Sequence, residues 1–202
     1  MAESSEVART IASYNRAAAD FAERAANFRP ERALAAFAAY VPSGSPVLDA
    51  GCGPGRDCAY LAELGFRPVA LDLSHGMLAE GRRRGLTAPA TQADLRRLPF
   101  VDGSFSGVWA SASLLHLPQP DLVPALRELR RIIGRGCLYL TLKEGEGEAW
   151  QERAGGPRFF RYYQMDAVEA AVREAGFEVM ARWSGPPGSD GFPWLNLIAM
   201  IS

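Results

Sequence analysis

Three glycines at alternate positions, Gly51, Gly53 and Gly55, follow the apolar run Val47-Leu48-Asp49-Ala50 and precede Arg56-Asp57. With no side chain on the inner side of such a turn, the main chain itself approaches a bound group. Two acids stand where later strands should end: Asp72 closes Pro68-Val69-Ala70-Leu71, and Asp94 follows Pro89 to Ala93. An acid roughly 20 residues past a glycine turn suits the paired hydroxyls of a ribose. Asp94 could accept an exocyclic base amine beside an apolar Leu95, or simply cap a turn. His116, one of two histidines, is the candidate base, because a neutral imidazole takes a proton from a hydroxyl or amine. Its alternative role is to hydrogen-bond backbone. His75, next to a predicted Ser74 cap, is expected to be exposed and silent.

Spacing separates two ligand classes. A dinucleotide fingerprint beginning at Gly51 needs its third glycine at position 56, and Arg56 stands there, which argues against a nicotinamide oxidoreductase.

The elements that must position these residues follow from periodicity. Val7, Ile11, Tyr14, Ala18, Phe21, Ala25 and Phe28 repeat at alternating steps of four and three, predicting one amphipathic helix. Pro30 opens a second, with Leu34, Phe37 and Val41 inward and Pro42-Ser43-Gly44 at its end. Further helices are expected from about Arg56 to Leu64, from the Ser74 cap through Met77 and Leu78, over Asp121 to Ile133 with Gly134 as its stop, and after Tyr163. Between them lie strands at Val47 to Ala50, Pro68 to Asp72, Pro89 to Ala93, Phe105 to Ala110, Cys137 to Leu142, Gly176 to Trp183 and Trp194 to Ile201. Such alternation predicts an α/β doubly wound sheet. The short turn Gly185-Pro186-Pro187-Gly188 makes the last two strands antiparallel. Lys143-Glu144-Gly145-Glu146-Gly147-Glu148 reads as a solvated loop or, at the ligand edge, as an acceptor lid. Phe159 and Phe160 are expected to pack beneath the following helix.

The acid-x-Gly-x-Gly-x-Gly arrangement from Asp49 to Gly55 resembles the first motif of the class I S-adenosylmethionine-dependent methyltransferases. Leu71-Asp72-Leu73-Ser74-His75-Gly76-Met77-Leu78 and Leu98-Pro99-Phe100 before Asp102-Gly103-Ser104-Phe105 resemble the same family. Lys143-Glu144-Gly145 and Phe159-Phe160-x-Tyr162-Tyr163 are similar to segments of its small bacterial members. The resemblance spans nearly the whole chain and is most specific from Val47 to Pro118. It implies a Rossmann-like seven-stranded sheet, order 3-2-1-4-5-7-6 with the last strand antiparallel and helices on both faces. It also implies S-adenosyl-L-methionine as methyl donor and S-adenosyl-L-homocysteine as product.

On that basis the donor would be met by main chain at Gly51, Cys52, Gly53 and Gly55, with Asp49 bracing the turn and Arg56 pairing with the donor's carboxylate. Asp72, with Leu73 and Met77, would hold the ribose, Asp94 and Leu95 the adenine, and the Ala110 carbonyl the methionine amine. Tyr14, on a helix that closes over the cofactor in similar enzymes, joins His116 as a catalytic candidate; its alternative is a core aromatic. Tyr14, Lys143, Glu144, Arg161 and Tyr163 are the acceptor-side candidates. Neither a nucleobase-amine motif, nor a nucleophilic cysteine, nor a metal-binding aspartate follows the fourth strand, where Ala110 and Ser111 stand. The expected reaction is therefore metal-free methyl transfer to O, N or S; the short chain, the absence of a basic face and the aromatic C-terminal half favour a small molecule as acceptor over a protein side chain or a tRNA. A non-catalytic S-adenosylmethionine-binding module is the rival from another class.

The 202 residues fit one domain: 1–42 as a helical cap, 45–142 as the cofactor core and 143–202 as the acceptor side. A formal charge of −1 supplies no electrostatic case for DNA or a membrane surface. Three cysteines without CxxC spacing, Cys52, Cys58 and Cys137, suit a reducing compartment. Met1 to Glu6 carries no basic-then-apolar leader pattern, so a cytoplasmic location is expected. Oligomeric state is not legible.

Overall fold

The computed structural model describes residues 5–188 and 190–201, so the first four residues of the segment read for a leader lie outside it. Its centre is a parallel sheet of β1 (Pro46–Ala50), β2 (Arg67–Asp72), β3 (Ala90–Gln92), β4 (Phe105–Ser111) and β5 (Ile133–Glu144). The order is β3-β2-β1-β4-β5, so the strand order reverses between β1 and β4, which run parallel, and a crevice opens at their carboxyl ends. Beyond β5, β9 (Trp194–Met200) runs antiparallel between β5 and β8 (Glu178–Ser184). Counting only the seven strands read from the sequence, this is the expected order.

Consecutive strand residues divide between two cores, as the period of two demands. Leu48, Val108 and Leu138 join α6 (Gln119–Ile132) and α7 (Met165–Glu174) on one face. Val47, Trp109, Tyr139 and Ile198 meet α3 (Glu31–Ala38) and α4 (Arg56–Glu63) on the other. Phe37 is fully buried there, edge-on to Trp109 at 5.5 Å. With both faces covered, the strands are almost continuously apolar. Among the described residues no helix is long and apolar enough to cross a membrane.

Three expectations are corrected. The first helix is two, α1 (Ser5–Arg16) and α2 (Ala18–Ala25), parted at Ala17. The break lies where a later turn packs so tightly that a Cβ on Gly155 would stand 2.3 Å from the Ser13 carbonyl oxygen. Gly134 does not stop a helix: α6 ends at Ile132 and the chain passes directly into β5, where Ile133 pairs with Phe105. Finally, of the segment read as a solvated loop only Gly145 to Gly147 bend outside the sheet: Lys143 and Glu144 end β5, Glu148 opens β6 (Glu148–Gln151), and the aromatics, buried as expected, belong to its hairpin partner β7 (Arg158–Tyr163). Aromatic residues suit a strand, and in β7 every residue but Arg161 is buried. β5 also outruns β4, leaving Lys143 and Glu144 to pair with Tyr162 and Tyr163.

Candidate active site

At the carboxyl ends of the strands lies a cavity of about 1070 Å³, larger than the 300–1,000 Å³ usual for one ligand. One wall is the turn after β1. Gly51 has a φ of +85°, and a Cβ there would stand 2.3 Å from the Ser113 Cβ, so only glycine lets this turn meet the segment leaving β4. That segment is strained in its turn: Ala112, at φ +53°, is the only non-glycine residue with positive φ among those described. Beside it the Ser113 hydroxyl is buried without a hydrogen-bond partner and lines the cavity, available to a ligand.

The next wall is the end of β2. The two carboxylate oxygens of Asp72 accept the Gly53 and Ser74 N–H groups, each at 2.8 Å, which fixes the side chain and leaves lone pairs free to accept from a ligand. Burial raises the Asp72 pKa and outweighs the bonds from Ser74 and Gly53. Ser74 caps α5 (His75–Arg83) by accepting the Met77 N–H at 3.1 Å, while His75 is exposed, both as expected.

α1 is bolted across this edge from both sides. Asn15 Oδ1 accepts from the Ser74 hydroxyl at 2.7 Å and the Gly76 N–H at 2.9 Å. On the other side Thr10 Oγ1 accepts the Phe159 N–H at 2.9 Å, and the Ser13 hydroxyl donates to the Gly156 carbonyl at 2.8 Å. The helix thereby holds Tyr14 over the cavity, 2.8 Å from His116 Nε2. His116 Nδ1 lies 2.6 Å from the Phe159 carbonyl oxygen, which can only accept. Nδ1 therefore carries the ring proton and Nε2 accepts from the Tyr14 hydroxyl. Burial pushes the imidazole pKa down to about 4, so the ring is neutral across the physiological range. Burial likewise raises the Tyr14 pKa, and the Arg158 guanidinium, 3.9 Å over its ring, opposes that rise.

Twelve of the residues singled out from sequence line this one cavity: Tyr14, Gly51, Cys52, Gly53, Arg56, Asp72, Leu73, Met77, Asp94, Leu95, His116 and Lys143. Besides Asp72 and the Tyr14–His116 pair, Lys143 is held by Asp190, and Arg56 and Asp94 are taken up by residues near them in the chain. Arg56 donates to Asp57 at 2.7 Å, and Asp94 takes Arg96 on both oxygens, including its N–H at 2.9 Å, so the turn-cap role is present in full. Burial pushes the Asp94 pKa up, but the Arg96 bonds prevail and lower it.

Six residues singled out from sequence are not in the wall. Asp49 is buried under the turn, accepting the Cys58 thiol at 3.2 Å; burial and the neighbouring Asp57 charge push its pKa well up, which suits a brace. Gly55 is the N-cap position of α4, packed on Leu86. Ala110 is buried in the sheet, one residue short of where the lining begins at Ser111. Glu144 gives its N–H to the Pro193 carbonyl, Arg161 pairs with Glu148 and Gln119, and Tyr163 is buried in the apolar core. Residues that sequence reasoning missed also line the cavity: Arg153, Arg158, Phe160, Asp190, Trp194 and Asn196. Nothing local marks them, because strands far apart in the chain bring them together.

Residues 47–136 match the family model of methyltransferase domains. The chain is 36% identical over 150 residues to a malonyl-[acyl-carrier protein] O-methyltransferase of Pectobacterium atrosepticum, an alignment covering 71% of this chain and 57% of that one. It is 40% identical over 93 residues to a demethylmenaquinone methyltransferase of Beutenbergia cavernae, covering 46% and 38% respectively. It spans about half the length of the first such relatives. Its fold superposes, with a TM-score of 0.78 at 21% identity over 100% of this chain and 92% of the other, on a Burkholderia thailandensis 1,6-didemethyltoxoflavin-N1-methyltransferase crystallised with 1,6-didemethyltoxoflavin and S-adenosylhomocysteine.

Proposed function

Because the chain belongs to the class I S-adenosylmethionine-dependent methyltransferases, we propose that it transfers a methyl group from that donor to an oxygen, nitrogen or sulfur atom of a small-molecule acceptor. The observation that carries this reading is the convergence of three features on one cavity: the bare backbone at Gly51 and Gly53, the fixed carboxylate of Asp72, and the Tyr14–His116 pair. The volume accommodates a donor and an acceptor together.

When bound, S-adenosylmethionine supplies an activated sulfonium methyl: a nucleophile displaces it in line, the C–S bonding pair passes to sulfur, and S-adenosylhomocysteine leaves. The protein's task is then alignment, which lowers barriers by about 7–11 kcal/mol in favourable systems. Main chain at Gly51 to Gly53 and the Ser113 hydroxyl would meet the amino-acid end, Asp72 with Leu73 and Met77 the ribose, and Leu95 the adenine face. Where the acceptor carries a proton, Tyr14 would receive it while passing its own to His116 Nε2, whose Nδ1–H remains on the Phe159 carbonyl. In this division residues 45–142 hold the donor, while the N-terminal helices and residues 143–202 shape the acceptor end. The relatives are named for methylation at oxygen or at a ring N1, consistent with such a range.

The test is calorimetry with S-adenosylhomocysteine, followed by incubation with methyl-labelled donor and a panel of small acids, phenols, heterocycles and thiols. Tight binding with label transfer is the expected result. Tight binding without label transfer to any member favours a binding module, and tight NADH binding with none of S-adenosylhomocysteine overturns the reading.

A further inference from the structure

Lys143 is the only lysine in a chain with 22 lysines and arginines, and it is 4% exposed at the end of β5, in the cavity wall. Its ammonium lies 4.7 Å from the Phe160 ring centre, 5.5 Å from that of Trp194 and 5.8 Å from that of Phe192. An ammonium enclosed this way is costly to bury unless a charge pairs with it. Its carboxylate partner is Asp190, from the turn between β8 and β9, and the same Asp190 oxygen also takes Arg153 at 3.1 Å. A third cation, Arg158, is also 4% exposed and lines the same space. Its partners are neutral: the Ser13 hydroxyl at 3.1 Å, the Ala154 carbonyl at 2.9 Å and the Tyr14 ring. The acceptor end thus sets three cations against the one carboxylate of Asp190. The other carboxylates of the cavity wall have partners of their own: Glu31 has Arg29, Asp57 has Arg56, Asp94 has Arg96, and Asp72 has the Gly53 and Ser74 N–H groups.

Resting on the methyl-transfer reading, we propose that the acceptor is a small molecule bearing a carboxylate, seated against Lys143 and Arg153 in the place that the Asp190 side chain holds. A carboxylate brought by the acceptor accepts the same N–H groups as Asp190 and releases that side chain to solvent. The rings around Lys143 then face the acceptor's apolar part, and Arg158 adds a positive field. A neutral acceptor would have to displace Asp190 without replacing its charge, leaving a buried ammonium unpaired, so selection against neutral analogues is built in.

A lone lysine makes the test direct, since protein labelled with 13C at the lysine ε-carbon gives one side-chain NMR signal. Untagged protein, wild type and Asp190→Asn, is saturated with S-adenosylhomocysteine and titrated with benzoate, or with benzamide as the neutral control. Benzoate should shift the Lys143 signal saturably, with at least tenfold higher affinity in Asp190→Asn, where no internal carboxylate competes; benzamide should leave it in place. A Lys143 signal in Asp190→Asn that ignores benzoate, or that follows benzamide equally, overturns the proposal. Calorimetry with S-adenosylhomocysteine on the same samples keeps the two readings apart. Donor-product binding without a benzoate response removes only the acceptor class, whereas failure to bind S-adenosylhomocysteine removes the methyl-transfer reading, with the lysine signal still reporting on the anion seat.

Discussion

The Tyr14 hydroxyl and His116 Nε2 lie 2.8 Å apart although 102 residues separate them in the chain. One comes from the helix bolted across the sheet edge, the other from the segment leaving β4, and neither is placed by its own neighbours in sequence. Because the Phe159 carbonyl claims the Nδ1 proton, the pair has one orientation, with tyrosine as donor and histidine as acceptor.

Tyr14→Phe and His116→Asn should each lower turnover by about 10²-fold or more, with affinity for S-adenosylhomocysteine little changed. The measurement is kcat on an acceptor identified with the labelled donor, beside calorimetry of the donor product. Unaltered kcat in both variants would leave the pair a structural clamp.

His116 also predicts a pH dependence of stability. Its folded pKa of about 4 lies below the 6.5 of an exposed imidazole, so the unfolded chain binds the proton more tightly. The contribution is intact above about pH 6.5 and is lost as pH falls toward 4, at up to about 1.4 kcal/mol per pH unit. Denaturant unfolding of wild type and His116→Asn over this window should show the steeper loss in wild type; parallel slopes contradict it.

Asp72→Ala should weaken S-adenosylhomocysteine binding more than tenfold, since charge-assisted hydrogen bonds contribute about 1.5–3 kcal/mol each. Unchanged affinity by calorimetry would take Asp72 out of the site.

Gly51→Ala places a Cβ 2.3 Å from that of Ser113 at a φ of +85°. The backbone must shift or bear strain of about 1–3 kcal/mol, read as a lowered Tm together with lost donor-product affinity. Wild-type behaviour in both would show that the turn yields.

Asn15→Ala removes the bolt between α1 and the start of α5, where Oδ1 accepts from Ser74 and Gly76. Amide exchange should accelerate over Ser5–Arg16 and stay unchanged in β1 and β4. Uniform exchange rates would mean that the β7 side alone holds the helix.

The glycine-turn side of the cavity was written in short range. Gly51, Gly53 and Asp72 announce themselves because a strand, a turn needing positive φ and a strand-end acid lie within about one βαβ unit, where spacing along the chain sets spacing in space. The same holds for the Ser74 cap and for the antiparallel final strand. Of the residues assigned to the acceptor side, Tyr14 and Lys143 line the cavity, whereas Glu144, Arg161 and Tyr163 stand outside its wall and Arg158 and Phe160, on the same strand as the last two, line it instead. Which residues of β7 face inward depends on its register against β5, and that register is settled by β4 ending first. Likewise Lys143 meets Asp190, and Tyr14 meets His116, only because packed layers bring remote segments together. Local pattern determined the α/β order of the sheet and the glycine-turn wall of the cavity; long-range packing decided which charges and proton-bearing groups line the rest of it, because nothing nearer in the chain constrains them.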